Sequence, residues 1–203
     1  MSAQLVASIA DLRGVLGEVR RHGRTIGLVP TMGALHAGHG RLIEIARRSC
    51  DFVVVSIFVN PIQFNQQQDY DRYPRPLGDD AAFCSSLGVD AIFAPPIQEM
   101  YPGAQLAFVD VERVTGRLCG QYRPGHFRGV ATVVLKLFNI VQPGRAYFGE
   151  KDAQQLAAIR RLVIDLNVPV EIVPVPTVRA RRRRRWPGAP GCRCGSRSRS
   201  KPA

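Results

Sequence analysis

Short runs of apolar residues alternate along the chain with longer stretches in which apolar residues recur every three or four positions. The short runs predict buried strands at 25–30, 53–60, 91–95, 145–148 and 170–178. The periodic stretches predict helices at 8–21, 79–87, 127–141 and 152–166, with a loop that opens a helix at 33–49. Residues 108–114 alternate and predict an exposed strand or hairpin arm. Strands that alternate with helices form right-handed βαβ units, so residues 1–178 are predicted to form an α/β, Rossmann-like domain. It would have a mainly parallel sheet with flanking helices.

Residues 179–203 differ in composition from the rest of the chain. They hold ten of the 28 lysine and arginine residues and no acidic residue, so most of the net charge of +12 lies there. Trp186 is their one large apolar side chain. Such a segment buries too little apolar surface to offset its ordering entropy, which predicts a disordered, Arg-rich tail. The tail would bind nucleic acid only non-specifically, through phosphates.

The sequence lacks the usual membrane and export signals. It has no run of eighteen apolar residues, so no membrane span or membrane partner is expected. Its N-terminus has no basic region and reaches Asp11 early, unlike a secretory signal. We therefore expect a cytoplasmic protein.

Three polar segments follow predicted strands, at 30–39, 60–65 and 149–155. Ligands bind parallel α/β sheets at the carboxyl ends of the strands, so these segments are expected to form one active site. In the first, Gly33 and Gly38 allow a ligand to approach the backbone, and His36 and His39 lie at a helix start. Free N–H groups and the positive end of the helix dipole favour phosphate there.

These segments also resemble a known family. GALHAGH resembles the HxGH signature of the nucleotidyltransferase superfamily, and four strings resemble pantothenate synthetases (pantoate–β-alanine ligases): VPTMGALHAGH, SIFVNPIQF, RPGHFRGVATVV and FGEKDAQQL. The resemblance implies an ATP-dependent ligase that uses Mg²⁺. Pantoate would attack the α-phosphate of ATP and release pyrophosphate. β-Alanine would then attack the pantoyl adenylate, which gives pantothenate and AMP.

The resemblance also implies roles for individual residues. The catalytic residues would be His39, His36 and Lys151. The ATP site would comprise Met32, Gly33, Ala34, Leu35, His36, Ala37, Gly38, His39, Gly149, Glu150, Lys151, Asp152 and Val178. Pantoate would contact Gln63, Gln155, Asn60 and His126, and β-alanine would contact Gln63. Asp79 and Asp80 correspond to a Mg²⁺-binding pair, and the family forms homodimers.

The chain departs from the family pattern after VPTVRA. The family continues into an SSRN loop and a small C-terminal domain, which we expect to be absent here. That loop closes on the ATP phosphates, so we expect slow turnover or none. Two alternatives to the ligase remain open: a non-catalytic remnant that binds nucleotide, and a protein that binds polyanions through its Arg-rich tail.

Overall fold

A computed structural model describes residues 2–112 and 125–178, and these residues contain a six-stranded sheet. Its strands are β1 (Gln4–Val6), β2 (Ile26–Thr31), β3 (Phe52–Ile57), β4 (Ala91–Phe93), β5 (Arg145–Gly149) and β6 (Glu171–Val175). Their order across the sheet is β1-β4-β3-β2-β5-β6, and every neighbouring pair is parallel. The predicted α/β class with a parallel sheet is therefore confirmed.

Helices cover both faces of this sheet. They are α1 (Ile9–Arg21), α2 (Ala37–Ser49), α3 (Gln67–Asp71), α4 (Leu77–Ser86), α5 (Ile97–Met100), α6 (His126–Val141) and α7 (Ala153–Asp165). Short 3₁₀ turns follow two strands, at Pro61–Gln63 and Glu150–Asp152. One large apolar cluster joins the sheet to α1, α6 and α7, and a second joins it to α2 and α4.

The continuous apolar runs of the sequence are explained by burial on both faces. In β3, Val54 packs in the cluster of α1 and α6, whereas Val53 and Val55 pack in the cluster of α2 and α4. All three side chains are fully buried, so no position in the run has to be polar. At the start of α1, the Ser8 hydroxyl accepts a hydrogen bond from the Asp11 amide, which makes Ser8 the N-cap.

Several element boundaries differ from the predicted ones. The predicted strands at 53–60, 91–95 and 170–178 end earlier, at Ile57, Phe93 and Val175. β1 was not predicted, because three residues are too few to show alternation. Residues 108–112 form no strand, so the expected strand or hairpin arm is wrong for that part, and its remainder lies outside the described residues.

Two predictions concern undescribed residues, and a third, on membrane spans, is tested only on the described ones. The Arg-rich tail, 179–203, is among the residues that the structure leaves undescribed, so the domain boundary after residue 178 stays a prediction. Within the described residues, no helix is long and apolar enough to cross a membrane.

The strand order creates a crevice beside β2. The chain passes from β2 through α2 to β3 on one side, whereas β5 pairs with β2 on the other side and leads through α7 to β6. Connections that leave two neighbouring strands in opposite directions open a crevice at the carboxyl ends of those strands. The loop at 32–36 and the turn Glu150–Asp152 both begin there.

Candidate active site

The loop between β2 and α2 has a backbone that requires particular residues. Gly33 and Ala34 have positive φ angles of 83° and 52°, a region that favours glycine. A Cβ on Gly33 would lie 2.8 Å from Oδ2 of Asp80. Glycine is therefore needed at position 33 both for its conformation and for the close approach of that carboxylate.

Asp80 of α4 holds this loop in place. The amides of Ala34 and Leu35 donate to Oδ2 and Oδ1 of Asp80, at 2.8 and 2.7 Å. The Asp80 residue is only 3% exposed and has no ion-pair partner among the described residues. Hydrogen bonds to a buried carboxylate are stronger than neutral ones, so Asp80 is a firm support for the loop.

His36 and His39 form a pair at the start of α2. Their ring centroids are 4.2 Å apart, with 34° between the ring planes. His36 is the N-cap of α2, and its Nδ1 accepts a hydrogen bond of 3.0 Å from the Gly38 amide. In the neutral ring the proton of His36 is therefore on Nε2, which leaves an N–H donor for a ligand.

Both histidines are held in the neutral form. Burial, followed by the charges of His36 and Lys151, lowers the pKa of His39 to about 4. Burial and the Lys151 charge also lower the pKa of His36. His39 Nδ1 is buried without a hydrogen-bond partner among the described residues, which is unusual for a buried polar atom.

Lys151 supplies positive charge from the neighbouring strand. It lies in the turn Glu150–Asp152 directly after β5, and its charge acts on both histidines. No described carboxylate forms an ion pair with it. At the start of α2, the amides of Ala37 and His39 also have no hydrogen-bond partner within residues 2–112 and 125–178. An ammonium group and helix N-terminal amides together suit a phosphate ligand.

A second group of polar side chains lies beside the first loop. The Asn60 amide donates to Oε1 of Gln63 at 3.0 Å, and Nε2 of Gln63 points to the Met32 sulfur. His126, the first residue of α6, has its Nδ1 2.8 Å from the Gln63 carbonyl oxygen. The structure therefore brings Met32, Asn60, Gln63 and His126 together next to the histidine loop.

The family comparison agrees with this geometry. The family model described as Pantoate-beta-alanine ligase matches residues 4–183. The chain belongs to the pantoate–β-alanine ligase family. Pantothenate synthetase of Pelotomaculum thermopropionicum is 58% identical over 172 residues, which are 85% of this chain and 61% of the relative. That of Aquifex aeolicus is 58% identical over 175 residues, 86% of this chain and 62% of the relative.

Solved structures of pantoate–β-alanine ligases have the same fold. Pantothenate synthetase from Thermus thermophilus has a TM-score of 0.82 at 53% identity, over 87% of this chain and 63% of that one. The enzyme from Francisella tularensis, complexed with beta-gamma ATP and beta-alanine, has a TM-score of 0.85 at 41% identity, over 89% and 69%. The chain thus spans about three fifths of the length of the curated relatives named above.

Other predicted site residues have fewer visible contacts. Gln155 lies half-buried in the first turn of α7, and Val178 is 46% exposed after β6. Glu150 and Asp152 are exposed beside Lys151. The roles that the family resemblance implies for these residues remain predictions.

The described residues do not build a magnesium site. Within residues 2–112 and 125–178, no three His, Cys, Asp or Glu side chains are placed to hold a metal ion. Both Asp80 oxygens accept from backbone amides, and Asp79 is exposed. The metal role of this pair stays a prediction, and a magnesium ion that enters with ATP belongs to the substrate.

The roles of two residues that support the site were not predicted from the sequence. Tyr101 donates a hydrogen bond to Asn60, and Gly129 lets α6 approach the turn at Pro61–Gln63. Tyr101 gave no signal, because its partner lies 41 positions away. A lone glycine within the apolar helix of residues 127–141 was a signal, because such a glycine often marks close packing.

Proposed function

We propose that this site binds ATP and pantoate and serves the formation of pantoyl adenylate, followed by condensation with β-alanine to pantothenate. The observation that carries the proposal is the neutral pair His36 and His39 at the start of α2. The charge of Lys151 acts on both rings, and no carboxylate within residues 2–112 and 125–178 forms an ion pair with it. Membership of the family supports the reaction, and the Francisella enzyme complexed with beta-gamma ATP and beta-alanine supports two of the ligands.

In the first step, a carboxylate oxygen of pantoate forms a bond to the α-phosphorus of ATP. The bond from that phosphorus to the bridging oxygen breaks, and pyrophosphate leaves with the electron pair. Negative charge grows on the phosphate oxygens, where Lys151 and the amides of Ala37 and His39 would lie as fixed donors. Donors that are already oriented stabilise such charge without reorganisation.

The histidines would act in this step as hydrogen-bond donors. At neutral pH the low pKa of His39 leaves its ring uncharged, so it has no spare proton to release. Its N–H group, and Nε2–H of His36, can still donate to phosphate oxygens. No proton transfer is needed for adenylation, because a carboxylate attacks and pyrophosphate leaves as an anion.

In the second step, the amine of β-alanine attacks the acyl carbon of the adenylate. The bond from carbon to the AMP oxygen breaks, AMP leaves, and the new amide nitrogen loses a proton to solvent. Gln63 and Gln155 would hold pantoate through both steps, since amide groups both donate to and accept from a hydroxy acid. β-Alanine would bind next to Gln63.

Assembly and location are also part of the proposal. We propose a homodimer formed through residues 1–178 and a cytoplasmic location. Sedimentation equilibrium of the chain lacking residues 181–203 tests the dimer. A monomer at all concentrations would contradict it.

Isotope exchange tests the adenylation step. Labelled pyrophosphate should enter ATP only when pantoate is present, because exchange reverses adenylate formation. His39→Ala and Lys151→Ala should each lower the rate by roughly 10²-fold or more, as loss of an oriented donor does. An exchange rate that both substitutions leave unchanged would contradict the assigned roles. Retained ATP binding without exchange would support the alternative of a non-catalytic nucleotide-binding protein.

A further inference from the structure

The side chain of Asn60 uses both of its N–H groups and its oxygen in hydrogen bonds inside the protein. It is 1% exposed. Its Oδ1 accepts from the Tyr101 hydroxyl at 2.8 Å, and its Nδ2 donates to Gln63 Oε1 at 3.0 Å and to the Gly129 carbonyl at 3.1 Å. The amide therefore has no N–H group left for a ligand.

The carbonyl of Gly129 determines which atom donates in each hydrogen bond between Tyr101, Asn60 and Gln63. A backbone carbonyl can only accept, so the Asn60 atom beside it must be the nitrogen. The Gln63 atom beside that nitrogen must then be Oε1, and the Tyr101 hydroxyl must donate to Asn60 Oδ1. Burial raises the pKa of Tyr101, so its hydroxyl keeps the proton that it donates.

These hydrogen bonds determine which end of the Gln63 amide is available to a ligand. With Oε1 held by Asn60, the Nε2 end points to the Met32 sulfur. A thioether is a weak acceptor, so an oxygen of a ligand would replace it readily. Gln63 thus offers donors to a ligand.

We propose that Tyr101 and Asn60 are positioning residues that hold the Gln63 amide with its N–H groups toward the substrate, so that this subsite takes an oxygen acceptor such as the hydroxyl or carboxylate of a hydroxy acid. The inference rests on the proposed function, because it takes Gln63 as the contact for pantoate. Asn60 then acts on pantoate through Gln63.

Tyr101→Phe tests the proposal, because it keeps the ring and removes only the hydroxyl. Asn60 Oδ1 would lose its donor, and the Gln63 amide would lose its single orientation. Tyr147→Phe is the matched control. Its hydroxyl is also in the interior, 2.6 Å from Ser49 Oγ at the end of α2, far along the sheet from the loop at 32–36.

The measurements are calorimetric affinity for pantoate, thermal stability, and hydrogen exchange of the Asn60 and Gln63 side-chain amides. The calorimetry is done with an ATP analogue whose bridge between the α- and β-phosphates cannot be cleaved, so that no adenylate forms. Both variants should lose similar stability. Only Tyr101→Phe should weaken pantoate binding, by roughly 3- to 10-fold for one neutral hydrogen bond, and speed side-chain amide exchange by about 10-fold.

Each outcome decides a separate question. Equal pantoate affinity in Tyr101→Phe and the unmodified protein, or an equal loss in Tyr147→Phe, would overturn the role of Tyr101. If the unmodified protein does not bind pantoate, the proposed function fails. The exchange rates of the Asn60 and Gln63 amides then still decide whether Tyr101 orients them, since they need no ligand.

Discussion

Replacing Gly129 by alanine should destabilise the fold, although the same change improves most helices. An ideal Cβ at Gly129 lies 2.5 Å from the Ile62 carbonyl oxygen and 2.7 and 2.8 Å from Cα and N of Gln63. All three are backbone atoms, so no side chain can rotate away. An ordinary contact of 3.4 Å requires α6 to move from the turn at Pro61–Gln63 by roughly 0.6–0.9 Å.

The size of the effect follows from opposing contributions. Overpacking costs about 1–3 kcal/mol. The shift also breaks the hydrogen bond from Asn60 to the Gly129 carbonyl, which contributes about 1 kcal/mol. The higher helix propensity of alanine stabilises the variant by about 1 kcal/mol. The net loss is therefore about 1–3 kcal/mol, or a melting temperature lowered by several degrees at about 2–4 °C per kcal/mol.

Gly14→Ala is the matched control. Gly14 is an exposed position inside α1, and a Cβ there has no neighbour within 4 Å. This variant should gain about 0.5–1 kcal/mol. Urea unfolding followed by circular dichroism gives both free energies of unfolding. Equal stability of the two variants would refute the close approach of α6 to the turn.

Three further predictions concern the loop, the histidines and the tail. Asp80→Asn should weaken ATP binding about 10-fold or more and speed amide exchange in the loop at 32–36, because the NH₂ group of the new asparagine would face a backbone N–H donor. The control is Asp79→Asn at the neighbouring exposed position, which should change neither measurement. Equal effects of the two substitutions would contradict the support of the loop by Asp80. The pKa of His39 is about 4 when folded and about 6.5 when unfolded, so the unfolded state binds the proton more tightly and stability falls as pH drops through this window. Between pH 7 and pH 5, protonation of His39 in the unfolded state should lower the free energy of unfolding by about 2 kcal/mol. A His39→Gln variant whose unfolding keeps the same pH dependence would exclude this contribution of His39. Deleting 181–203 should lower the salt needed to elute the chain from heparin and leave ATP affinity unchanged; unchanged elution would place polyanion binding elsewhere.

Much of the fold could be predicted because burial in this sheet is nearly uniform. Runs such as Val53–Val55 contain no polar position, since helices cover both faces, and that pattern identifies a parallel α/β sheet. His36 and His39 could be found for a related reason. They lie in a glycine-containing segment directly after a buried strand, where ligands bind.

The remaining features depend on contacts between distant parts of the chain. The sequence shows Asp80 only as an acidic residue near a helix start, so its hydrogen bonds to amides 45 and 46 positions earlier have no local signal. The hydroxyl of Tyr101 and the missing side chain of Gly129 matter only once α6 lies against the turn. β1 is visible only through its pairing with β4.

The support of the loop by Asp80 would couple the proposed nucleotide binding to the docking of α4. The loop keeps its shape only while α4, with the buried side chain of Cys84, stays packed against the sheet. If α4 opens in a fraction of molecules, the apparent affinity for nucleotide falls by that fraction. The coupling is reciprocal, so a nucleotide that binds the ordered loop also holds α4 closed. Sensitivity to nucleotide should therefore extend to the amides of α4, as slower hydrogen exchange when ATP is bound.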